Sequence, residues 1–134
     1  MIFADLDILS RTVWGEARGE KHKGRKAVAH VMLNRWRSIK GQFAKDDTIA
    51  TACLRHVQFS VWNAGDPNFE KMQKIDINDR TYRECMIAAL EAFDEKDFTR
   101  GSTHYCTRAV HPLWAEGHSP VLRLGNHVFY ADIR

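Results

Sequence analysis

A chain of 134 residues, 44% of them hydrophobic, with a formal net charge of +3, is sized for one compact domain with its own core. The charge excess is mild and unclustered. That excludes a dedicated nucleic-acid binder and leaves a non-specific attraction to an anionic polymer. No run approaches the roughly 20 apolar residues of a membrane span. The three cysteines, Cys53, Cys85 and Cys106, make no disulfide framework and point to a reducing compartment. The first twenty residues lack a basic start and a long apolar core, so a cytoplasmic origin without a signal peptide is expected.

The first element sets the theme. Ile2, Leu6, Leu9 and Val13 recur at helical spacing, and Glu16 and Glu20 continue the series. A helix over Leu6–Glu16 is predicted, capped by Asp5. Glu16 is expected on the buried stripe, where desolvation penalises a charged carboxyl. A polar turn follows around Gly19–Gly24. The second helix, over Lys23–Ser38, carries Ala27, Val28, Val31, Met32 and Trp36 on one face. Arg25, Lys26, Arg35, Arg37 and Lys40 are read as its solvated face.

Gly41–Asp47 reads as a loop, and Thr48 caps a short helix over Ile49–Leu54. His56–Asn63 alternates as a strand, with Gln58, Ser60 and Trp62 on one side. Amide, hydroxyl and indole on one face suit a sugar, although a half-exposed strand meeting only water has the same pattern. Ala64–Asn78 is read as a loop. Asp79 caps a third long helix over Arg80–Glu95, with a core stripe of Tyr82, Cys85, Met86, Ala89, Leu90 and Phe93. Thr103–Cys106 reads as a strand and His111–Trp114 as a loop. Val121–Leu124 and His127–Tyr130 flank Gly125-Asn126 as a β-hairpin. No repeat or linker divides residues 1–134, and a single domain and a monomer are expected.

The histidines and cysteines do not fall at the paired spacings of a zinc site, so neither a metal nor any other cofactor is expected. A metal-dependent amidase built on the C-terminal histidines is the alternative enzyme, and a non-catalytic binding module using Trp62 and Trp114 is the other. A carboxylate mechanism fits better. Glu16 serves as general acid and then general base, and Glu20 orients it, perturbs it, or anchors a backbone group.

Val13-Trp-Gly-Glu-Ala-Arg-Gly-Glu20, Gly24 and Ala27-Val-Ala-His-Val-Met-Leu-Asn-Arg35 resemble the opening of the SleB-type cell wall hydrolase family, the catalytic domain of spore cortex-lytic enzymes. Gln58-Phe-Ser60, Thr103-His-Tyr105 with Pro112-x-Trp114, and Leu124-Gly-Asn-His-Val-Phe-Tyr130 are similar to its later motifs, in order and spacing. The resemblance implies an α+β, mainly helical lysozyme-like domain with a small sheet or hairpin beside the cleft. It implies peptidoglycan as partner and substrate, with no nucleic acid or stable membrane association. The reaction would cleave the bond between N-acetylmuramic acid and N-acetylglucosamine, by lytic transglycosylation or by plain hydrolysis. Glu16 takes the place of the family's catalytic glutamate. Glu20, Gln58, Ser60, Trp62, His104, Tyr105, Trp114, His127 and Tyr130 are expected in the substrate cleft. The compact form is similar to a phage or prophage endolysin, made in the cytoplasm and released to the wall.

Overall fold

The computed structural model describes residues 1–38, 48–55 and 62–133. Among the described residues, five α-helices come first and a small sheet last. The helices are α1 (Phe3–Ala17), α2 (His22–Arg37), α3 (Ile49–Leu54), α4 (Phe69–Lys74) and α5 (Arg80–Asp94). The sheet consists of β1 (His104–Thr107), β2 (Leu122–Leu124) and β3 (His127–Tyr130), with a short 3₁₀ turn at Leu113–Ala115. The expected α+β class is the one observed. Among the described residues, no helix is long and apolar enough to cross a membrane.

The core lies where α1, α2 and α5 meet. Leu9 and Val13 from α1, Val28, Val31, Met32 and Leu33 from α2, and Cys85, Ala89 and Ala92 from α5 are fully buried. The small residues of α5 let it approach the other two helices closely. Tyr82 closes one end, its hydroxyl donating to Asp7 Oδ1 at 2.5 Å. Burial and that carboxylate push the phenol well above its ordinary value. Of the stripe predicted for α5, Tyr82, Cys85 and Ala89 are buried and Met86 and Phe93 pack against the core. Ala88 and Ala92 are buried, whereas Leu90 is 42% exposed. Packing against two neighbours selected the alanine side of the helix, which hydrophobicity alone does not favour.

Caps explain several boundaries. Thr48 Oγ1 accepts from Thr51 N at 2.9 Å and Asp79 Oδ1 from Tyr82 N at 2.7 Å, as their positions before α3 and α5 predict. Asp5 does not cap α1. That helix starts earlier, with Ile2 at its N-cap and 69% exposed, and Asp5 Oδ1 accepts instead from Ala50 N at the start of α3. The predicted loop Ala64–Asn78 contains α4. Six residues with one buried anchor, Met72, are too short for periodicity to reveal. The predicted loop at Gly41–Asp47 lies outside the described residues. So do residues 56–61 of the predicted strand, and Trp62 and Asn63 beyond them lie in a turn.

Of the basic residues read as the solvated face of α2, Arg37 is exposed and Lys40 lies outside the described residues, but Arg25, Lys26 and Arg35 are engaged with neighbouring elements. Arg25 Nη1 lies 2.9 Å from Glu84 Oε2 of α5, and its Nη2 donates to Arg18 O at 2.6 Å. Lys26 Nζ lies 2.5 Å from Glu95 Oε2. Arg35 is buried, and its Nε donates to Thr103 O at 2.6 Å. These side chains fasten α2 to α5 and to the start of the sheet.

The sheet order is β1-β3-β2, antiparallel throughout. Gly125 and Asn126 alone separate Leu124 from its partner His127, and Gly125 has φ +57°. A two-residue hairpin turn requires that left-handed conformation. Register assigns the faces. Tyr105 pairs with Phe129 and Phe129 with Leu122, so these three share one face with His127 and Leu124. His104, Cys106, Val128 and Tyr130 take the other. Phe129, fully buried, seats the first face on the helices, and removing its ring would cost about 3–5 kcal/mol.

Candidate active site

Glu16 stands in the last turn of α1, between the buried side chains of Val13 and Ala17. It is half-buried, more open than its place on the stripe predicts, because the helix ends at Ala17. Its Oε1 accepts a hydrogen bond from the Tyr105 hydroxyl of β1. Helix and sheet therefore meet at this carboxyl. Burial, and then the Glu16 charge and hydrogen bond, hold the Tyr105 phenol well above its ordinary value, so it remains a proton donor. The Tyr105 ring is fixed as well. It lies edge-on to His127 at 4.9 Å and tilts against Phe129 at 5.8 Å.

Two groups of contacts put β1 in this position. Asn34 Nδ2 donates to Ser102 O at 2.9 Å, beside the Arg35 bond to Thr103 O. Asp97 then knots the preceding loop. Its carboxylate accepts from Thr99 N at 2.7 Å, Gly101 N at 2.8 Å and Asn34 Nδ2 at 3.0 Å. Burial opposes its ionisation, but these donors outweigh it and hold the carboxyl below its ordinary range. Asn34, Arg35 and Asp97 are not among the residues that the sequence places in the cleft. The sequence signal was present for Arg35, which follows Val31 and Met32 at helical spacing on the buried stripe.

Glu20 braces the other edge. Its Oε1 accepts from Asn126 N at 2.9 Å and lies 3.5 Å from His127 Nδ1. The side chain is 10% exposed and fills the space beside two glycines. A Cβ at Gly125 would overlap its carboxylate, and one at Gly24 would press on its Cβ at 3.0 Å. Burial pushes the His127 ring down from its ordinary value, and the Glu20 charge partly offsets this. Glu20, His127, Tyr105 and Glu16 thus form a continuous line of contacts from the hairpin turn to the end of α1.

The other expected cleft residues do not join this line. His104 and Tyr130 occupy the opposite face of the sheet from Tyr105 and His127. Trp114 packs with them, 4.9 Å from His104 and 5.2 Å from Tyr130 between ring centroids. Trp62 Nε1 donates to Thr12 Oγ1 at 2.7 Å, and its indole packs on the core. Gln58 and Ser60 lie outside the described residues. The C-terminal histidines do not converge either. His104 and His127 point to opposite faces, and His111 and His118 are exposed. Among the described residues there is no group of three or more His, Cys, Asp or Glu placed to hold a metal ion. Cys106 shares the outer face with His104, but burial pushes its thiol up, away from the thiolate a nucleophile needs.

Comparison with known proteins agrees with this architecture. The catalytic domain of the germination-specific lytic transglycosylase SleB from Bacillus anthracis superposes with a TM-score of 0.74. The match is 23% identical and covers 97% of this chain and 96% of that one. The catalytic domain of the Bacillus cereus SleB protein gives the same TM-score and identity, with 94% and 88% covered. Spore cortex-lytic enzymes are 25% identical over 125 residues in Bacillus subtilis (strain 168) and 29% identical over 126 residues in Halalkalibacterium halodurans. Each match spans 93% of this chain but only 37% and 34% of those longer proteins. The profile of the cell wall hydrolase family matches residues 19–130, a span that contains Glu20, the hairpin and the whole sheet and begins just after Glu16. The chain belongs to the cell wall hydrolase family.

Proposed function

We propose that the chain cleaves the glycosidic bond between N-acetylmuramic acid and N-acetylglucosamine in peptidoglycan, as a lytic transglycosylase with Glu16 as its acid and base. The observation that carries this reading is the Glu16 carboxyl held at the helix–sheet junction by the Tyr105 hydroxyl. The similarity to a protein described as a lytic transglycosylase supports the same chemistry.

The residues divide the work simply. Protonated Glu16 gives its proton to the bridging oxygen as the C1–O bond of the muramyl residue breaks. The oxocarbenium-like centre is then attacked by the C6 hydroxyl of the same sugar, and the Glu16 carboxylate takes up that hydroxyl's proton. A 1,6-anhydro ring forms and no second protein nucleophile is needed. A carboxyl in the last turn of a helix faces the negative end of the helix dipole, which suits a group that must carry a proton. The Tyr105 hydroxyl can donate to the carboxylate or accept from the acid, so it orients Glu16 through both steps.

The test is mass spectrometry of soluble fragments released from purified peptidoglycan by the native chain and by Glu16→Gln. Ends in 1,6-anhydro-muramic acid, lost in the variant, are expected. Reducing muramic acid ends would assign hydrolysis to the same glutamate. Peptides released from intact strands, unaffected by the substitution, would overturn the reading.

A further inference from the structure

The outer face of the sheet, turned away from Glu16, carries a pocket of about 320 Å³ lined by His111, Pro112, Leu113, Ala115, Glu116 and Tyr130. Its aromatic side is fixed in advance, since Tyr130 rests against Trp114 and Trp114 against His104. Its apolar wall is unusually open. Leu113 is 84% exposed, and nearby Val110 is 51% exposed. Its polar groups are unspent: among the described residues the Tyr130 hydroxyl, the Glu116 carboxylate and the His111 ring make no hydrogen bond or ion pair. On the inner face the Glu16, Tyr105 and Glu20 oxygens are instead hydrogen-bonded, while His127 Nδ1 lies 3.5 Å from Glu20 without a hydrogen bond.

We infer that this pocket is a second binding site, taking one neutral N-acetylhexosamine unit of a glycan strand. The volume lies at the small end of ligand pockets, the size of a single ring and not of an extended peptide. A pyranose offers an apolar C–H face and a rim of hydroxyls, which match an aromatic and aliphatic wall edged by polar side chains. An acetamide adds a methyl for Leu113 and Pro112 and an N–H for Glu116. The same carboxylate repels anionic groups, so phosphate, a free peptide carboxylate and an unsubstituted muramic acid fit poorly. The choice of a glycan over other neutral ligands rests on the reading of the chain as a peptidoglycan-cleaving enzyme. A strand held here keeps its neighbouring units at high local concentration around the catalytic face.

The test is a titration of the full chain with tri-N-acetylchitotriose, a neutral trimer without muramic acid, followed by amide and indole NMR signals. Leu113, Trp114, Ala115 and Glu116 are expected to shift together along one saturable curve. Leu113→Asp and Glu116→Lys, both at exposed positions, are expected to weaken that curve tenfold or more while leaving the rest of the spectrum in place. Unmoved signals at millimolar trimer, or a curve unchanged in both variants, would overturn the inference. Fragment analysis of peptidoglycan separates the two readings. Cleavage with a silent pocket fails this inference alone. A responsive pocket without cleavage supports the site and fails the enzymatic reading.

Discussion

The two faces of the three-stranded sheet are made by alternate residues of the same short strands, yet their chemistry differs. On the inner face Tyr105 donates to Glu16, His127 stands beside Glu20, and Phe129 is buried among the helices. The two carboxylates there are each held by a hydrogen bond, which is what electrostatic preorganisation of a reacting centre requires. On the outer face Trp114 packs tilted against His104 and edge-on to Tyr130, while the polar rim stays unspent among the described residues. On the proposed reading, the inner face spends its polar groups on holding a carboxyl in place, and the outer face keeps its own for a ligand.

The comparison breaks most completely at Glu16. Glu16→Gln keeps the shape and one hydrogen-bond acceptor but cannot exchange the proton. Fragment release is expected to fall by about 10²–10⁴-fold, the usual share of general acid–base catalysis. Thermal unfolding should stay close to that of the native chain. A variant that keeps most activity would remove the inner face's claim to the chemistry.

Gly125→Ala attacks the brace. A left-handed φ of +57° costs an alanine about 1–2 kcal/mol, and its Cβ meets the Glu20 carboxylate in addition. A loss of about 2 kcal/mol or more in denaturant unfolding is expected, with reduced activity because the hairpin carries His127. Adding Glu20→Ala removes the overlap, so the double variant should lose less than the sum of the two single ones. Strict additivity would show that Glu20 does not fill that space.

Much of this was readable in the chain, for identifiable reasons. Thr48 and Asp79 mark helix starts through local chemistry that no tertiary contact overrides. Gly125-Asn126 between two alternating runs announced a hairpin, and the hairpin formed. The grouping of site residues was less readable. Alternation says that His104 and Tyr105 oppose each other, but only the register with β3 shows that Tyr105 keeps company with His127 and that His104 keeps company with Tyr130. Asp5 looked like a cap for its own helix and serves α3, 45 residues away in sequence. Trp62, expected on a strand face, lies instead in a turn and donates its N–H to Thr12. In both cases the partner is distant in sequence, and spacing carries no record of it.

The histidines sharpen the contrast through pH. On the outer face His104 is pushed down to about 4 by burial, and then by the charge of Arg35. On the inner face the Glu20 charge opposes the effect of burial on His127. A histidine whose folded pKa is lowered stays neutral in the native state while the unfolded chain takes up a proton. Its contribution is therefore complete above about pH 6.5 and is lost as pH falls towards 4. For His104 the loss amounts to about 3 kcal/mol across that window. Denaturant unfolding from pH 7 to pH 4 should show this slope, and His104→Gln should flatten it whatever its effect at neutral pH. His127→Gln should flatten it less.

The smallest expected effect is the most diagnostic of how the inner face works. Tyr105→Phe removes one hydroxyl and leaves the ring on His127 and Phe129. If that hydroxyl serves to aim Glu16, its loss acts on the bond-breaking step and not on binding of the strand. A fall of about tenfold in kcat, equivalent to one modest hydrogen bond to a charged group, is expected with KM nearly constant. A rise in KM with kcat preserved would mean that the hydroxyl touches the sugar instead, and Tyr105 would then be a binding residue on a face that otherwise serves the reaction.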